Sequence, residues 1–331
     1  MIAQRESSPR IIILLSTFNG ERFLCEQLES FLAQDYPHWA IHWRDDGSSD
    51  ATVAMMRGFA ARIGPRRCVE SCSSGPHLGA AMSFLTLLAE NEGAQAVAFA
   101  DQDDVWLPTK LRRAAAHIAA AGGPALYCAR QILVDEALRG DDLLVAHVAV
   151  PGFPASLTQN IANGNTLVMN GAAARLVAAM GRPTGTVHDW WSYIVVSACG
   201  GRVLFDLEPC ILYRLHKNNL IGAARPLVGR ALAALSRGPE IFMTMMCRHA
   251  RALAAQPDHL SQQASQDLHV ILAGLEGGFA ARLAALRCSG FARRTGLENI
   301  LFRYWFLTDS SVPHAQAALP AWAAPDIQAA E

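Results

Sequence analysis

The sequence predicts an α/β fold: a Rossmann-like, mostly parallel sheet flanked by helices, followed by a helical appendage at the carboxyl end. Three observations predict it. Strand-length apolar runs alternate with amphipathic stretches up to about Val134. Three of those runs end abruptly in polar, acid-rich segments, as strands do when their carboxyl ends open onto a ligand edge. Beyond Ala223 the chain turns to Ala-, Leu- and Arg-rich helical sequence.

The first run, Ile11–Leu15, reads as a strand leading into Ser16–Glu21, and Phe23–Gln34 carries apolar residues at helical spacing. Ala40–Trp43 is the second strand; it leads into Asp45-Asp46-Gly47-Ser48-Ser49-Asp50, a turn in which Asp50 starts a helix over Ala51–Ile63. Cys68–Cys72 is a short third strand, followed by a helix over Ala80–Glu90. Ala96–Ala100 is a buried parallel strand ending in Asp101-Gln102-Asp103-Asp104-Val105-Trp106, and Pro108 opens a helix over Thr109–Ala121. From about Gly152 the rhythm changes. A strand over Asn165–Asn170, a helix over Ala172–Met180, a helix from His188, and short strands at Arg202–Leu207 and Ile211–Leu215 follow. The expected division is residues 1–222 as one domain, with its nucleotide-binding part over about 10–134 and its acceptor part over about 150–222. Helices fill 223–312, and a Pro/Ala tail over 313–331 is expected to be disordered.

Composition narrows the function. A net charge of −1 supplies no basic field for nucleic acid, so an anion must be held by local groups. Eight scattered cysteines without a CxxC pair read as small reduced core residues. Met1–Arg10 lacks the apolar region of a signal peptide, and no charge-free apolar window reaches the ~18 residues of a membrane span, so a cytoplasmic location is expected.

If the three acid-tipped strands are parallel, their polar ends line one cleft. Asp101 and Asp103 share a short loop, and like charges so close call for a cation between them. Oxygen ligands of this kind select Mg²⁺ or Mn²⁺ over zinc. The alternative is a solvated acidic turn ahead of the helix after Pro108. No GxGxxG follows the first strand and no GxxxxGK[ST] occurs, which removes the main support for a dehydrogenase or a P-loop NTPase. Thr17, Asn19, Glu21 and Asp46 form a set suited to a base and a ribose; for Glu21 the competing reading is a charge at a helix N-terminus.

Ser16–Glu21, Arg44–Asp50, Asp101–Trp106, His188-Asp189-Trp190-Trp191 and Tyr213-Arg214-Leu215-His216-Lys217-Asn218-Asn219 occur in the order seen in family 2 glycosyltransferases. Over roughly residues 10–222 the chain resembles that family, and most of all its bacterial rhamnosyltransferase branch. The resemblance implies a GT-A fold, a nucleotide-diphosphate sugar donor, a divalent cation and inversion at the anomeric carbon. It implies that Thr17, Asn19, Glu21 and Asp46 contact the nucleoside, that Asp101 lies on the ribose side and that Asp103 holds the metal. Asp189 stands where the family has its catalytic acid residue and would be the general base; a simple helix N-cap is the rival reading. His216 resembles a late histidine that reaches the metal or diphosphate, or is structural. Arg214 would stabilise leaving-group charge, and Gly164, in Asn163-Gly164-Asn165, would let the backbone approach the donor sugar and acceptor. Trp190 and Trp191 could offer a sugar-stacking face, one of them being core. Phe18 stands in place of a tyrosine common in the family and His77 in place of a frequent asparagine, two departures from its pattern.

The expected activity is metal-assisted, inverting transfer of a sugar, rhamnose from dTDP-rhamnose, to a surface-polysaccharide or lipid-linked acceptor. The alternatives are a family 2 transferase using a UDP-sugar and a non-catalytic nucleotide-sugar-binding assembly subunit. A sugar-phosphate nucleotidyltransferase would show a glycine-rich basic first loop, where this chain has Asn19-Gly20-Glu21. Cationic and aromatic residues mixed at helical spacing over Gly290–Phe306 suit either a helix on the cytoplasmic face of the inner membrane or a packing helix.

Overall fold

The computed structural model describes residues 8–143, 152–181, 183–216 and 239–308. The expected boundary at 222/223, Lys217-Asn218-Asn219 and the tail over 313–331 lie outside the described residues.

Strands β1 (Ile11–Thr17), β2 (Trp39–Asp45), β3 (Cys68–Glu70) and β4 (Ala96–Ala100) pair in parallel in the order β3-β2-β1-β4. Helices α1 (Leu24–Leu32), α2 (Thr52–Ile63) and α3 (Ala80–Ala89) make the crossovers. Every residue of β4 is buried, which is why it reads as an unbroken apolar run. Register places Thr17 beside Asp45 and Leu15 beside Ala100, so the polar segments after β1, β2 and β4 leave one edge of the sheet, as expected. Helix α2 begins at Thr52, and the Asp50 carboxylate accepts the Thr52 amide at 3.0 Å.

Past β4 the sheet is mixed. The short strand β5 (Val105–Trp106) leads into helix α4 (Lys110–Ala119), strand β6 (Ala125–Val134) and strand β7 (Asp142–Leu143). Strand β8 (Val168–Asn170) runs antiparallel to both β4 and β6, and helix α5 (Gly171–Ala179) follows it. The expected strand over 165–170 is therefore shorter, because Leu167 and Thr166 donate to the Gly164 and Asn163 carbonyls and close a 3₁₀ turn over Gly164–Thr166. The two short strands expected between Arg202 and Leu215 are one strand, β9 (Arg202–Arg214). Pro209 lies within it, outside the two residues, Ile211 and Leu212, that pair with β5.

The chain divides into two compact units. The first comprises residues 1–144, 162–178 and 204–214 and holds the sheet. Its core joins Ile11, Ile13 and Leu15 to Trp43, Trp106 and Tyr127, each fully or almost fully buried; a buried side chain of this size contributes roughly 1.5–3 kcal/mol. The second comprises residues 145–161, 179–203 and 215–331. It holds helix α6 (His188–Ala198) and the helices α7 (Glu240–Ala254), α8 (Gln262–Glu276), α9 (Phe279–Ala285) and α10 (Gly296–Thr308). Gly274 lets α8 and α9 approach closely, since a Cβ there would stand 2.6 Å from the Ala285 Cβ. No described helix is long and apolar enough to cross a membrane.

Candidate active site

The loops after β1 and β2 are laced together. Asp45 accepts the Gly47 and Ser48 amides at 3.0 and 2.7 Å and the Thr17 hydroxyl at 2.9 Å, closing a turn in which Gly47 takes φ 95°. Asn19 accepts the Ser49 amide at 2.9 Å, and its own amide donates to the Ser48 hydroxyl at 2.9 Å. Glu21 accepts the Ala51 amide at 2.9 Å, so its charge sits at the N-terminal end of α2, a neighbouring helix. Asn19 and Glu21 remain exposed at the sheet edge.

Thr17 and Asp46, expected to touch the nucleoside, are buried at 1% exposure each. The Asp46 carboxylate accepts the Leu78 and Gly79 amides at 2.7 and 2.9 Å, the Ser83 hydroxyl at 3.1 Å and the fully buried Arg44 guanidinium. It ties the β3–α3 loop to β2, and any contact with a nucleoside would have to displace one of these donors. His77 reaches Asp46 at 3.0 Å and lies 5.0 Å from the Phe18 ring, so the two departures from the family pattern touch each other.

The acidic loop after β4 is fastened from several sides. The Gln102 amide donates to the Phe18 carbonyl at 2.8 Å and accepts the Phe18 amide at 2.9 Å, and Gly20 makes room for it: a Cβ there would stand 2.2 Å from the Gln102 Oε1. Asp104 is fully buried and accepts the Asn165 amide at 2.6 Å. Burial, then the charges of Asp103 and Asp101, push its carboxyl well above the usual range. Lys110, at the start of α4, is fully buried with its ammonium 3.3 Å from the Trp106 ring centre, donating to the Asn165 carbonyl. Burial pushes it down to about 8, against the opposing charges of Asp104 and Asp101. Asp101 and Asp103 themselves stay half-buried.

Gly164 is buried in its 3₁₀ turn, and the next residue, Asn165, fixes that turn to Asp104. Arg214, expected to stabilise leaving-group charge, is engaged by neighbouring protein groups. Its side chain is 1% exposed and donates to the Asp103 carbonyl at 2.9 Å, to the Glu136 carbonyl and to the Glu26 carboxylate at 3.2 Å.

In the second unit, Asp189 is 5% exposed in the first turn of α6, where it accepts the Trp190 amide at 2.6 Å. It is not the N-cap, a place taken by Val187 without a side-chain bond. Trp191 is fully buried and the Trp190 indole donates to the Ser156 carbonyl at 2.7 Å, so both rings are anchored in this unit. His216 is half-buried.

Sequence reasoning missed Lys110, Glu26 and His249. Lys110 had a signal: a cation at the N-terminal end of a helix opposes the helix dipole and calls for a carboxylate nearby. His249, on α7, pairs with the Thr186 hydroxyl at 2.9 Å and packs 5.2 Å from Trp190 and 5.6 Å from Trp191. Burial holds His188 and His249 neutral, at pKa values of about 3. The unfolded chain takes up these protons near pH 6.5, so their contribution to stability is complete above that pH and declines as pH falls toward 3. Replacing His249→Phe is expected to flatten part of this acid limb. Urea midpoints measured from pH 7 to 4 check it, and parallel curves for the two proteins would refute it.

Residues 12–144 match the model of a family described as Glycosyl transferase family 2. The chain carries a family 2 glycosyltransferase domain. It is 27% identical over 222 residues to the dTDP-rhamnosyl transferase RfbG of Shigella flexneri, covering 63% of this chain and 74% of that protein. The uncharacterized glycosyltransferase RT0329 of Rickettsia typhi (strain ATCC VR-144 / Wilmington) is 22% identical over 224 residues, 64% of this chain and 66% of that one. Among solved structures, S. aureus TarS 1-349 in complex with UDP-GlcNAc aligns with a TM-score of 0.54 and 14% identity, over 93% of this chain and 87% of that one. The fold is GT-A, as the sequence motifs implied, and the chain is a glycosyltransferase.

Proposed function

We propose that this glycosyltransferase transfers rhamnose from dTDP-rhamnose, with inversion, to a surface-polysaccharide or lipid-linked acceptor. The observation that carries the donor reading is the acidic loop: Asp101 and Asp103 stand half-exposed at the carboxyl edge of β4 while Asp104 is drawn inward to Asn165. Similarity to RfbG supports the choice of dTDP-rhamnose. Asn19, Glu21 and Asp101 serve the nucleoside end, with Thr17 and Asp46 shaping its loop. Gly164 lies toward the donor sugar.

The donor set fits a hard divalent ion, Mg²⁺ or Mn²⁺. Among the described residues no cluster of three or more His, Cys, Asp or Glu side chains forms a complete cage. An ion of this kind takes one or two protein carboxylates and fills its shell from substrate phosphates and water. Asp103 and His216 would hold it, and the ion would neutralise charge on the departing diphosphate. Asp189 accepts the proton of the acceptor hydroxyl as its oxygen attacks the anomeric carbon; its burial holds it in one orientation.

We further assign this protein to the cytoplasmic face of a membrane. On α10, Leu297, Ile300 and Tyr304 are 63%, 68% and 61% exposed on one face beside exposed Arg303, while Phe302, Trp305 and Phe306 pack inward. This arrangement suits an interfacial helix. Flotation with anionic vesicles is expected to carry the protein, and Ile300→Glu to release it; equal flotation of the two would refute the assignment.

Thermal-shift measurements with dTDP-rhamnose, UDP-GlcNAc and GDP-mannose, each with Mg²⁺, test the donor. A ligand at ~100 times its dissociation constant adds about 2.7 kcal/mol to native stability, a readable shift. The largest shift is expected from dTDP-rhamnose. A larger one from a UDP-sugar would replace the donor, and binding without transfer to any acceptor would favour an assembly subunit.

A further inference from the structure

We propose that Arg214 is a positioning residue: from behind the acidic loop it sets the affinity with which Asp103 takes a divalent cation. The inference rests on the donor and metal reading above and adds a residue to it.

The register brings them together across 111 positions of chain. In the antiparallel pair of β5 and β9, Val105 stands opposite Leu212 and Trp106 opposite Ile211, and the Leu107 amide donates to the Cys210 carbonyl. Continued two residues toward the loop, the same ladder sets Asp103 opposite Arg214. There the side chain takes over from the backbone: the Arg214 Nε donates to the Asp103 carbonyl at 2.9 Å, and its backbone amide faces the Asp104 carboxylate at 3.4 Å. The other guanidinium nitrogens hold the Glu136 carbonyl and the Glu26 carboxylate, and the Phe23 ring lies 4.5 Å below.

A buried guanidinium of this kind is costly unless every edge is satisfied. Here its edges are spent on three segments: the acidic loop, the end of β6 and α1. The planar fork therefore fixes the Asp103 backbone, and with it the place of the acidic loop after β4. Lys110 does the matching work on the other side, joining Asn165 and so Asp104 to α4. Between them, two buried cations hold a loop whose three aspartates would otherwise repel one another apart. A lysine at 214 would keep the charge but could not span three acceptors at once.

The test is calorimetric titration of dTDP and of UDP into the full chain at a series of Mn²⁺ concentrations and in EDTA, for wild type, Arg214→Lys and Glu26→Gln. For Arg214→Lys the Mn²⁺ concentration giving half of the affinity gain is expected to rise about tenfold, with nucleotide affinity in EDTA unchanged. A folded Arg214→Lys with wild-type Mn²⁺ response overturns the inference. Should that variant fail to fold, Glu26→Gln decides, because Glu26 is half-exposed and leaves the carbonyl contacts in place: a rise of two- to fourfold supports the role and no change overturns it. A loss of affinity in EDTA equal to the loss with Mn²⁺ also overturns it, marking Arg214 as merely structural. A wild-type protein indifferent to Mn²⁺ overturns the metal reading itself, and the positioning role with it. The two failures are thus distinguishable.

Discussion

Replacing Asp189→Asn is expected to lower turnover by about 10²–10⁴-fold while leaving donor affinity and melting temperature near wild type. The geometry makes the substitution clean. Asp189 accepts the Trp190 amide through one oxygen, and an asparagine carbonyl oxygen can accept the same bond. The helix start itself does not depend on it, because Val187 is the capping residue. What asparagine lacks is a lone pair basic enough to take a proton from an attacking hydroxyl. Donor turnover with an acceptor present, set beside donor binding by calorimetry, separates the two effects. Unchanged turnover would remove Asp189 as the base. A parallel fall in donor affinity would show that the carboxylate serves binding instead.

Much of the first unit was legible from the chain. Runs such as Ala96–Ala100, apolar on both faces, can only be strands buried between helices, and the abrupt change to Asp101 marks where the strand leaves the core. The order of the polar tips gave the shared edge. Less legible was everything beyond β4. The strand pairing of β8 and β9 depends on contacts between distant segments, and no local pattern separates Arg202–Arg214 as one strand from two strands broken at Pro209. The site shows the same division. Residue types announced a carboxylate-rich edge, but not which carboxylates face outward. Asp45, Asp46 and Asp104 are buried and turn to amides and cations, whereas Asp101 and Asp103 are half-buried, a division that depends on the packing of Arg44, Lys110 and Arg214. Arg214 shows what sequence alone does not give: its burial and its bonds to the Asp103 and Glu136 carbonyls and the Glu26 carboxylate come from segments far apart in the chain.

For Asp103→Ala, nucleotide-diphosphate affinity is expected to lose its dependence on Mn²⁺ with little change in stability. The fold should tolerate the truncation because Arg214 holds the Asp103 carbonyl, which alanine retains. Removing the half-buried carboxylate also relieves its repulsion with Asp104, whose carboxyl is pushed up in part by the Asp103 charge. The metal term is large by comparison. At an effective dielectric near 20, one unit charge pair at ~4 Å is worth roughly 4 kcal/mol, against about 1 for a neutral hydrogen bond. After desolvation, a loss of about tenfold to a hundredfold in metal-dependent affinity remains. Calorimetric titration of dTDP with and without Mn²⁺ reads it directly, and Asp101→Ala measured alongside tests whether the second half-buried carboxylate shares the ion. Persistence of the Mn²⁺ effect in Asp103→Ala would refute the ligand assignment, and its transfer to Asp101→Ala would move the ion two residues along the same loop.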